Sequence, residues 1–232
     1  MTTAHTLSPS IALAVVLVLA GCQGAPPGPG IPEDPARAIA ALESCLRDAS
    51  AVGFVTSAKA EGVVTADLEG TASWSAAAVA IAAAGTFVDR PADLHLTHED
   101  GTLTGGNGTH EFTSEAPAEL REALVLGMTR MGILHNLARL AGAMPPDHAD
   151  GGAADWLTYE AARWGDGSEV DGQPARPLDF TVLIEGAPVA EARVWLRTDD
   201  GLPVRREQTV RFPQGDMVVV ETYADWKIET AR

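Results

Sequence analysis

A short acidic stretch contains the residues best suited to bind a metal ion. Asp147, His148, Asp150 and Asp155 supply carboxylates and one imidazole, which are ligands for several divalent ions. Their spacing is not that of a zinc site or an EF-hand, and the segment is rich in proline and glycine. We therefore interpret the cluster as a solvated acidic loop, and the sequence predicts no metal site and no cofactor.

Sequence motifs that mark common enzyme classes are missing. A serine hydrolase of the G-x-S-x-G type would show that nucleophile turn, and the sequence has none. The glycine-rich run 105–108 (GGNG) lacks the lysine and the strand-to-helix context of a phosphate-binding loop. The sequence therefore predicts that this protein is not an enzyme.

One cysteine follows an apolar run near the N-terminus. Residues 11–21 (IALAVVLVLAG) are apolar or small. A membrane-spanning helix needs about 20 such residues, so the run is typical of a signal peptide instead. It leads into Cys22, and residues 19–22 (LAGC) resemble the bacterial lipoprotein box, in which the signal is removed before the cysteine and the thiol is lipidated. Because residues 1–10 contain no Lys or Arg, an ordinary secretory signal or a misassigned start remains the alternative.

The lipoprotein box implies an organisation and a location for the chain. Residues 1–21 would be the signal peptide, and residues 22–35 would carry the lipid (palmitate among its acyl chains) on Cys22 and form a Pro/Gly-rich tether. Residues 36–232 would form a single domain held at the membrane of the cell envelope. Gln23 follows the lipidated cysteine, where proteobacterial lipoproteins retained at the inner membrane have Asp. This implies the periplasmic face of the outer membrane in a Gram-negative cell.

The overall charge excludes one class of partner. The chain has 232 residues, with 32 acidic and 16 basic side chains, and a net charge of −16. Binding nucleic acid requires a basic surface, so we expect no nucleic-acid partner. The same charge argues against an electrostatic hold on an anionic membrane. Composition does not predict the oligomeric state.

The N-terminal half of the domain predicts one amphipathic helix followed by strands. Asp34 and Pro35 have the residue types of a helix N-cap and first position, and the apolar face behind them includes Cys45 as a buried thiol. Residues rich in Val, Thr and Phe then predict strands over 52–60, 63–73, 93–98 and 109–113, with a glycine-rich turn over 101–108. The alanine-rich segment 76–84 fits a helix by propensity but alternates like a strand, and we predict a strand.

A long apolar helix is predicted over residues 117–141. Its apolar residues lie on almost every side, so we expect it to be buried. Gly127 and Gly132 either allow a close backbone approach or mark a kink. Residues 144–173 then predict an acidic, loop-rich segment.

The last quarter of the chain predicts an antiparallel meander of four strands over 177–229. Alternating apolar residues are separated by turn sequences such as Asp199-Asp200-Gly201. We assign Leu202, Val204, Val210 and Phe212, and then Val218, Val220, Trp226 and Ile228, to a dry inner face. That face needs a cover, and the 117–141 helix is the best candidate.

The order of these elements resembles the LolA/LolB-like and LppX/LprG-like bacterial lipoproteins. The resemblance depends on the Trp-bearing strand 194–196 (VWL), the hairpin 199–204 (DDGLPV) and the closing strand 223–226 (YADW). It implies an α+β fold, in which a long apolar helix covers the concave face of a curved antiparallel half-barrel and an amphipathic helix precedes it. In that family the gap between helix and sheet takes acyl chains or lipidated cargo.

The resemblance implies a membrane-anchored lipoprotein that binds or carries a hydrophobic ligand, such as an acyl chain, lipid or lipoprotein. The alternative is a structural or interaction lipoprotein with a filled core and no ligand. Apolar residues on the helix and the inner sheet face are the candidates for lining the cavity: Leu124, Met128, Met131, Leu134, Val204, Val210, Val218, Val220 and Trp226.

Overall fold

The computed structural model describes residues 30–145 and 152–230. The predicted signal peptide, Cys22 and most of the tether lie outside these residues, as do Asp147, His148 and Asp150.

In the described part of the chain, twelve strands form one antiparallel sheet. The strands are β1 (Ala49–Gly62), β2 (Ala66–Ser75), β3 (Val79–Phe87), β4 (Arg90–Glu99), β5 (Thr102–Gly106), β6 (Glu111–Glu115), β7 (Leu157–Trp164), β8 (Ser168–Val170), β9 (Gln173–Ile184), β10 (Ala187–Arg197), β11 (Pro203–Phe212) and β12 (Gly215–Thr230).

Two meanders join at the centre of the sheet. The order across it is β6-β5-β4-β3-β2-β1-β12-β11-β10-β9-β7, with β8 paired to β9. The first meander ends at one edge strand, β6, and the second begins at the other, β7. The helices between them carry the chain from edge to edge across the concave face, which confirms the predicted α+β half-barrel with a helical cover.

The helical cover is broken, not continuous as predicted. It consists of α2 (Leu120–Leu126), a π-helical turn (Gly127–Met131) and α3 (Ile133–Ala141). Gly132 has φ +90° and ψ 163°, a backbone conformation that residues other than glycine rarely adopt. The predicted kink at Gly132 is confirmed, whereas the close neighbour there is a side chain and not backbone: a Cβ would lie 2.6 Å from the carboxylate oxygens of Glu221. A short helix, α4 (Ala153–Trp156), follows. No helix within the described residues is both long and apolar enough to cross a membrane.

The first helix, α1 (Pro35–Asp48), begins as predicted but buries a different face. The Asp34 carboxylate accepts a hydrogen bond of 2.8 Å from the Arg37 amide, which makes Asp34 the N-cap. Cys45 is exposed, so its assignment as a buried thiol is wrong. Glu43 is buried instead, because the helix turns that carboxylate towards Arg130.

Strand β12 presents other residues to the interior than those predicted. Met217 and Val219 are buried, whereas Val218 is 50% exposed. The pairing of β1 with β12 shifts by one residue near Asp225, which has φ +52°. Such a bulge reverses the alternation of side chains, and it returns Trp226 to the face of Met217 and Val219.

Two segments predicted to be loops contain strands. The glycine-rich stretch 101–108 contains β5, in which a Cβ on Gly106 would lie 2.2 Å from the carbonyl oxygen of His110. Close strand packing therefore explains that glycine. The predicted loop 144–173 contains α4, β7 and β8. The segment around 76–84 is a strand, as predicted.

Candidate ligand cavity between the broken helix and the sheet

An apolar cavity of about 420 Å³ lies between α3 and the second meander. The helical side contributes Met131, Leu134, His135 and Ala138. Strands β9 to β12 form the opposite wall with Val182, Ile184, Val189, Ala190, Gln208, Val210, Arg211, Phe212, Met217 and Val219. Val64 and Phe87, at the ends of the β1–β2 and β3–β4 connections, complete the lining. Because these hairpin ends lie at one end of the sheet, the cavity is bounded there by turns.

Three of the predicted residues line this cavity: Met131, Leu134 and Val210. The π-helical turn and the start of α3 place the first two, and β11 places Val210 opposite them. Leu124 and Met128 are buried in the core and do not line the cavity. They are therefore packing residues of the helical cover in this structure.

The other predicted residues lie away from the cavity. Trp226 packs against Phe54 with ring centroids 4.4 Å apart, and its indole N–H donates to the Pro203 carbonyl at 2.9 Å. Val204 is half-buried where the β10–β11 register shifts. The inward placement of Val218 and Val220 is wrong, because both alternate with the buried residues of β12.

Sequence reasoning missed most of the cavity's sheet wall. Met217 and Val219 belong to a run of four apolar residues (217–220), so alternation alone does not distinguish the inner pair from the outer pair. Phe87 and Val64 lie next to turns, where strand periodicity gives no signal. The bulge at Asp225 was the missing information, because it fixes which residues of β12 face inward.

Two buried charged residues, neighbours across strands β11 and β12, hold the break in the helical cover. Arg206 of β11 and Glu221 of β12 are cross-strand neighbours, with exposed fractions of 1% and 0%. The Arg206 guanidinium donates to the carbonyl oxygens of Thr129 (3.0 Å) and Arg130 (2.5 Å), at the end of the first helical segment. The Glu221 carboxylate accepts from the Leu134 amide at 2.8 Å, at the start of the second.

The polarity of this arrangement matches the polarity of helix ends. Carbonyl groups at a helix C-terminus carry partial negative charge, and amide groups at an N-terminus carry partial positive charge. The cation therefore binds the end of one segment and the anion binds the start of the next. The Tyr223 hydroxyl donates to the second carboxylate oxygen of Glu221, and the Gln208 side-chain oxygen accepts from Arg206. These bonds satisfy the remaining polar atoms of the pair.

Burial dominates the protonation of this network. It raises the pKa of the Glu221 carboxyl, although Arg206, Tyr223 and the amides of Leu134 and Ile133 act in the opposite direction. It lowers the pKa of Arg206, against the influence of Glu221. Burial and the neighbouring Glu221 raise the pKa of Tyr223 well above its usual 10.0. Because the hydrogen bonds of this network go to both halves of the helical cover, its role is to hold the helix break next to the cavity.

A second polar cluster fixes the helical cover to α1. The Arg130 guanidinium binds the Glu43 carboxylate with distances of 2.7 and 2.9 Å, and it also donates to the Leu157 carbonyl at 2.5 Å. The Thr129 hydroxyl lies 3.2 Å from the same carboxylate. Arg130 also lies over the Tyr159 ring, 5.4 Å from its centroid. The π-helical turn is therefore anchored both to α1 and to the edge strand β7.

The candidate metal cluster is only partly described. Asp155 lies in α4, whereas its three predicted neighbours lie outside the described residues. Among the residues that the structure describes, no group of three His, Cys, Asp or Glu side chains could hold a metal ion.

No protein-family model matches the sequence, and no curated protein matches it either. Several solved structures are similar. LprF from Mycobacterium bovis is 8% identical, with 85% of this chain and 95% of that chain covered and a TM-score of 0.43. A LolA superfamily protein from Nitrosomonas europaea is also 8% identical, covering 85% and 94% of the two chains, with a TM-score of 0.30. A putative outer membrane lipoprotein-sorting protein domain from Vibrio parahaemolyticus is 8% identical, covering 84% and 92%, with a TM-score of 0.32.

Proposed function

We propose that this protein is a lipid-anchored protein of the cell envelope that binds or carries a hydrophobic ligand, such as an acyl chain, between α3 and the sheet. The observation that carries the proposal is the cavity of about 420 Å³ with an almost entirely apolar wall. Protein interiors are otherwise close-packed, and ligand sites typically measure about 300–1,000 Å³. A structural lipoprotein with a filled core would have no such space.

The driving force for binding is the transfer of an acyl chain out of water. Each methylene that enters an apolar environment contributes about 0.8 kcal/mol. Met131 suits this role because its flexible thioether adapts to ligands of different shape. Binding of this kind needs no catalytic group, and we propose a carrier or binding protein rather than an enzyme.

The anchor is proposed from the sequence around Cys22. An acyl-modified Cys22 would hold the domain at the membrane, and a chain of Pro and Gly residues would separate the two. Growth of cells with radiolabelled palmitate tests this directly. We expect the label in the natural protein and not in Cys22→Ala; equal labelling of both, or of neither, would exclude the anchor.

Native mass spectrometry of residues 23–232 tests the ligand proposal. The deleted segment lies outside the described residues, so the contacts that build the cavity are all retained. We expect a complex of one protein with one acyl-bearing molecule, either co-purified or formed by adding tetradecanoate. If the protein stays ligand-free under both conditions while folded by circular dichroism, the ligand-binding function is wrong.

A further inference from the structure

A second, more polar pocket adjoins the apolar cavity. It measures about 530 Å³ and lies between the β3–β4 hairpin, the β5–β6 connection and the end of α3. Phe87 and Ala138 line both pockets and therefore form the wall between them. The other residues that line the second pocket are Val88, Arg90, Pro91, Ala92, Asn107, Thr109, His110, Ala141 and Gly142.

The second pocket concentrates hydrogen-bond donors and a cation. Arg90 is exposed, and its guanidinium has no hydrogen bond or ion pair with any residue that the structure describes. His110 and Thr109 contribute an imidazole and a hydroxyl, which donate to oxygen acceptors. By contrast, Arg211 at the apolar cavity already lies 3.6 Å from the Glu191 carboxylate. Arg90 is therefore the cation available to a ligand.

Asn107 holds the walls of this pocket together. Its side-chain amide donates to the Ala141 carbonyl at 2.7 Å, and its side-chain oxygen accepts from the amides of Thr109 (3.1 Å) and His110 (2.9 Å). The β5–β6 connection is thus fixed to the end of α3. Because Asn107 occupies the Ala141 carbonyl, that end of the helix presents less negative charge to an anion in the pocket.

The volume of the apolar cavity limits how many acyl chains it can hold. A methylene group is similar in size to a water molecule, which occupies about 30 Å³ in the liquid. A space of about 420 Å³ therefore accepts on the order of fourteen methylenes at that size. This corresponds to one acyl chain of moderate length rather than to two or three.

We infer that the ligand is an amphiphile with one acyl chain and an anionic oxygen head group, whose chain fills the apolar cavity and whose head group binds beside Arg90 in the adjoining pocket. This inference depends on the proposed ligand-binding function and specifies its substrate class. A carboxylate and a phosphate would both fit, because a guanidinium binds either through paired N–H groups. The ligand would cross from one pocket to the other at Phe87 and Ala138, the residues that line both.

Isothermal titration of residues 23–232 with four defined probes tests the inference. The probes are tetradecanoate, its uncharged methyl ester, a single-chain phosphatidic acid with a tetradecanoyl group, and the corresponding two-chain phosphatidic acid. We expect at least one single-chain anion to bind more tightly than both the ester and the two-chain lipid. The stronger of the two single-chain anions identifies the head group as carboxylate or phosphate.

Substitution of Arg90 separates the head-group claim from the function itself. Arg90→Gln should weaken binding of the single-chain anion by about tenfold or more, the effect of losing a hydrogen bond to a charged group, and leave the methyl ester unchanged. Arg37→Gln is the matched control, because Arg37 is an exposed arginine on α1, away from both pockets.

Three outcomes would overturn distinguishable parts of the proposal. If Arg90→Gln weakens binding of the single-chain anion and of the methyl ester equally, or weakens neither, the head-group assignment is contradicted while the ligand-binding function stands. Equally tight binding of the two-chain lipid contradicts the single-chain assignment. Failure of all four probes to bind the folded protein contradicts the proposed function itself.

Discussion

Arg206 and Glu221 face each other across strands β11 and β12 and bind opposite halves of one broken helix. Arg206 binds carbonyl oxygens that end the first half, and Glu221 binds an amide that begins the second. A helix break normally leaves such groups unsatisfied, at a cost in free energy. The pair on the sheet therefore permits the break, and the break positions Met131 and Leu134 on the cavity.

Replacement of Arg206 tests this relationship through stability. Arg206→Met should reduce the free energy of unfolding by about 3–5 kcal/mol, because it leaves the buried carbonyl groups of Thr129 and Arg130 and the Gln208 side-chain oxygen without their donor. Arg205→Met is the matched control, since Arg205 lies on the outer face and pairs there with Glu207. We expect that variant to change by about 1 kcal/mol or less. Urea unfolding measures both, and similar losses in the two variants would contradict the role assigned to Arg206.

Gly132 is the second support of the helix break. Gly132→Ala should destabilise the protein by at least about 2 kcal/mol, because a residue with φ +90° is strained and its Cβ would contact Glu221. Gly142→Ala provides the control, because φ is −80° there and the nearest atom to a Cβ is 3.4 Å away. It should change stability by about 1 kcal/mol or less. Equal thermal midpoints for the two variants would show that the break tolerates a side chain.

An ion pair on the sheet predicts part of the acid sensitivity. Asp179 accepts two hydrogen bonds from Arg193, of 2.5 and 2.9 Å, which hold the pKa of that carboxyl below its usual 3.8. A lowered pKa means that the unfolded chain binds the proton more readily. The stabilisation is therefore present above pH 3.8 and is lost as the pH falls through the folded-state value.

Asp179→Asn should accordingly flatten the acid limb of the stability curve. We expect a loss of about 1 kcal/mol at neutral pH, since Arg193 is half exposed and solvent screens the pair. Below pH 3.8 the difference from the natural protein should shrink. Urea unfolding at a series of pH values measures this difference, and a difference that grows on acidification would contradict the predicted direction.

The exposure of Cys45 predicts its reactivity. It is the sole cysteine of residues 23–232, and Ellman's reagent should modify it in the folded protein without denaturant. Partial burial and the carboxylates of Asp200 and Asp48 raise the pKa of this thiol above 9.0. Reaction at pH 7 should therefore be slower than for a free thiol, because the thiolate is the nucleophile. If Ellman's reagent modified Cys45 only after unfolding, the thiol would be buried, and its exposure in this structure would be contradicted.

The sequence predicts the fold class well because antiparallel strands and amphipathic helices have local signatures. The hairpins between β9 and β12 follow from their turn residues and alternating apolar residues. Glycines are more ambiguous: Gly106 lies within β5 although a run of glycines usually indicates a turn. The need for glycine at this position comes from the neighbouring strand β6, because the carbonyl of His110, the residue before that strand, lies close to Gly106. No local sequence pattern indicates that neighbour.

The interior of the candidate site is harder to predict for two physical reasons. Val218 and Val219 are chemically identical neighbours, and only the bulge at Asp225 determines which of them faces the cavity. Arg206 and Glu221 are charged, so patterning places them outside or leaves them unassigned. They are stable inside because a helix break, distant in sequence, supplies their hydrogen-bond partners.

A matched pair of valine substitutions tests the central claim that the cavity binds an acyl chain. Val210 lines the cavity, whereas Val218, on the neighbouring strand, points to the outer face. Val210→Trp fills the space, and Val218→Trp adds the same bulk outside. Titration with tetradecanoate should show at least tenfold weaker binding for Val210→Trp, about 1.4 kcal/mol, and unchanged binding for Val218→Trp. Equal affinity in the two folded variants would contradict ligand binding in this cavity.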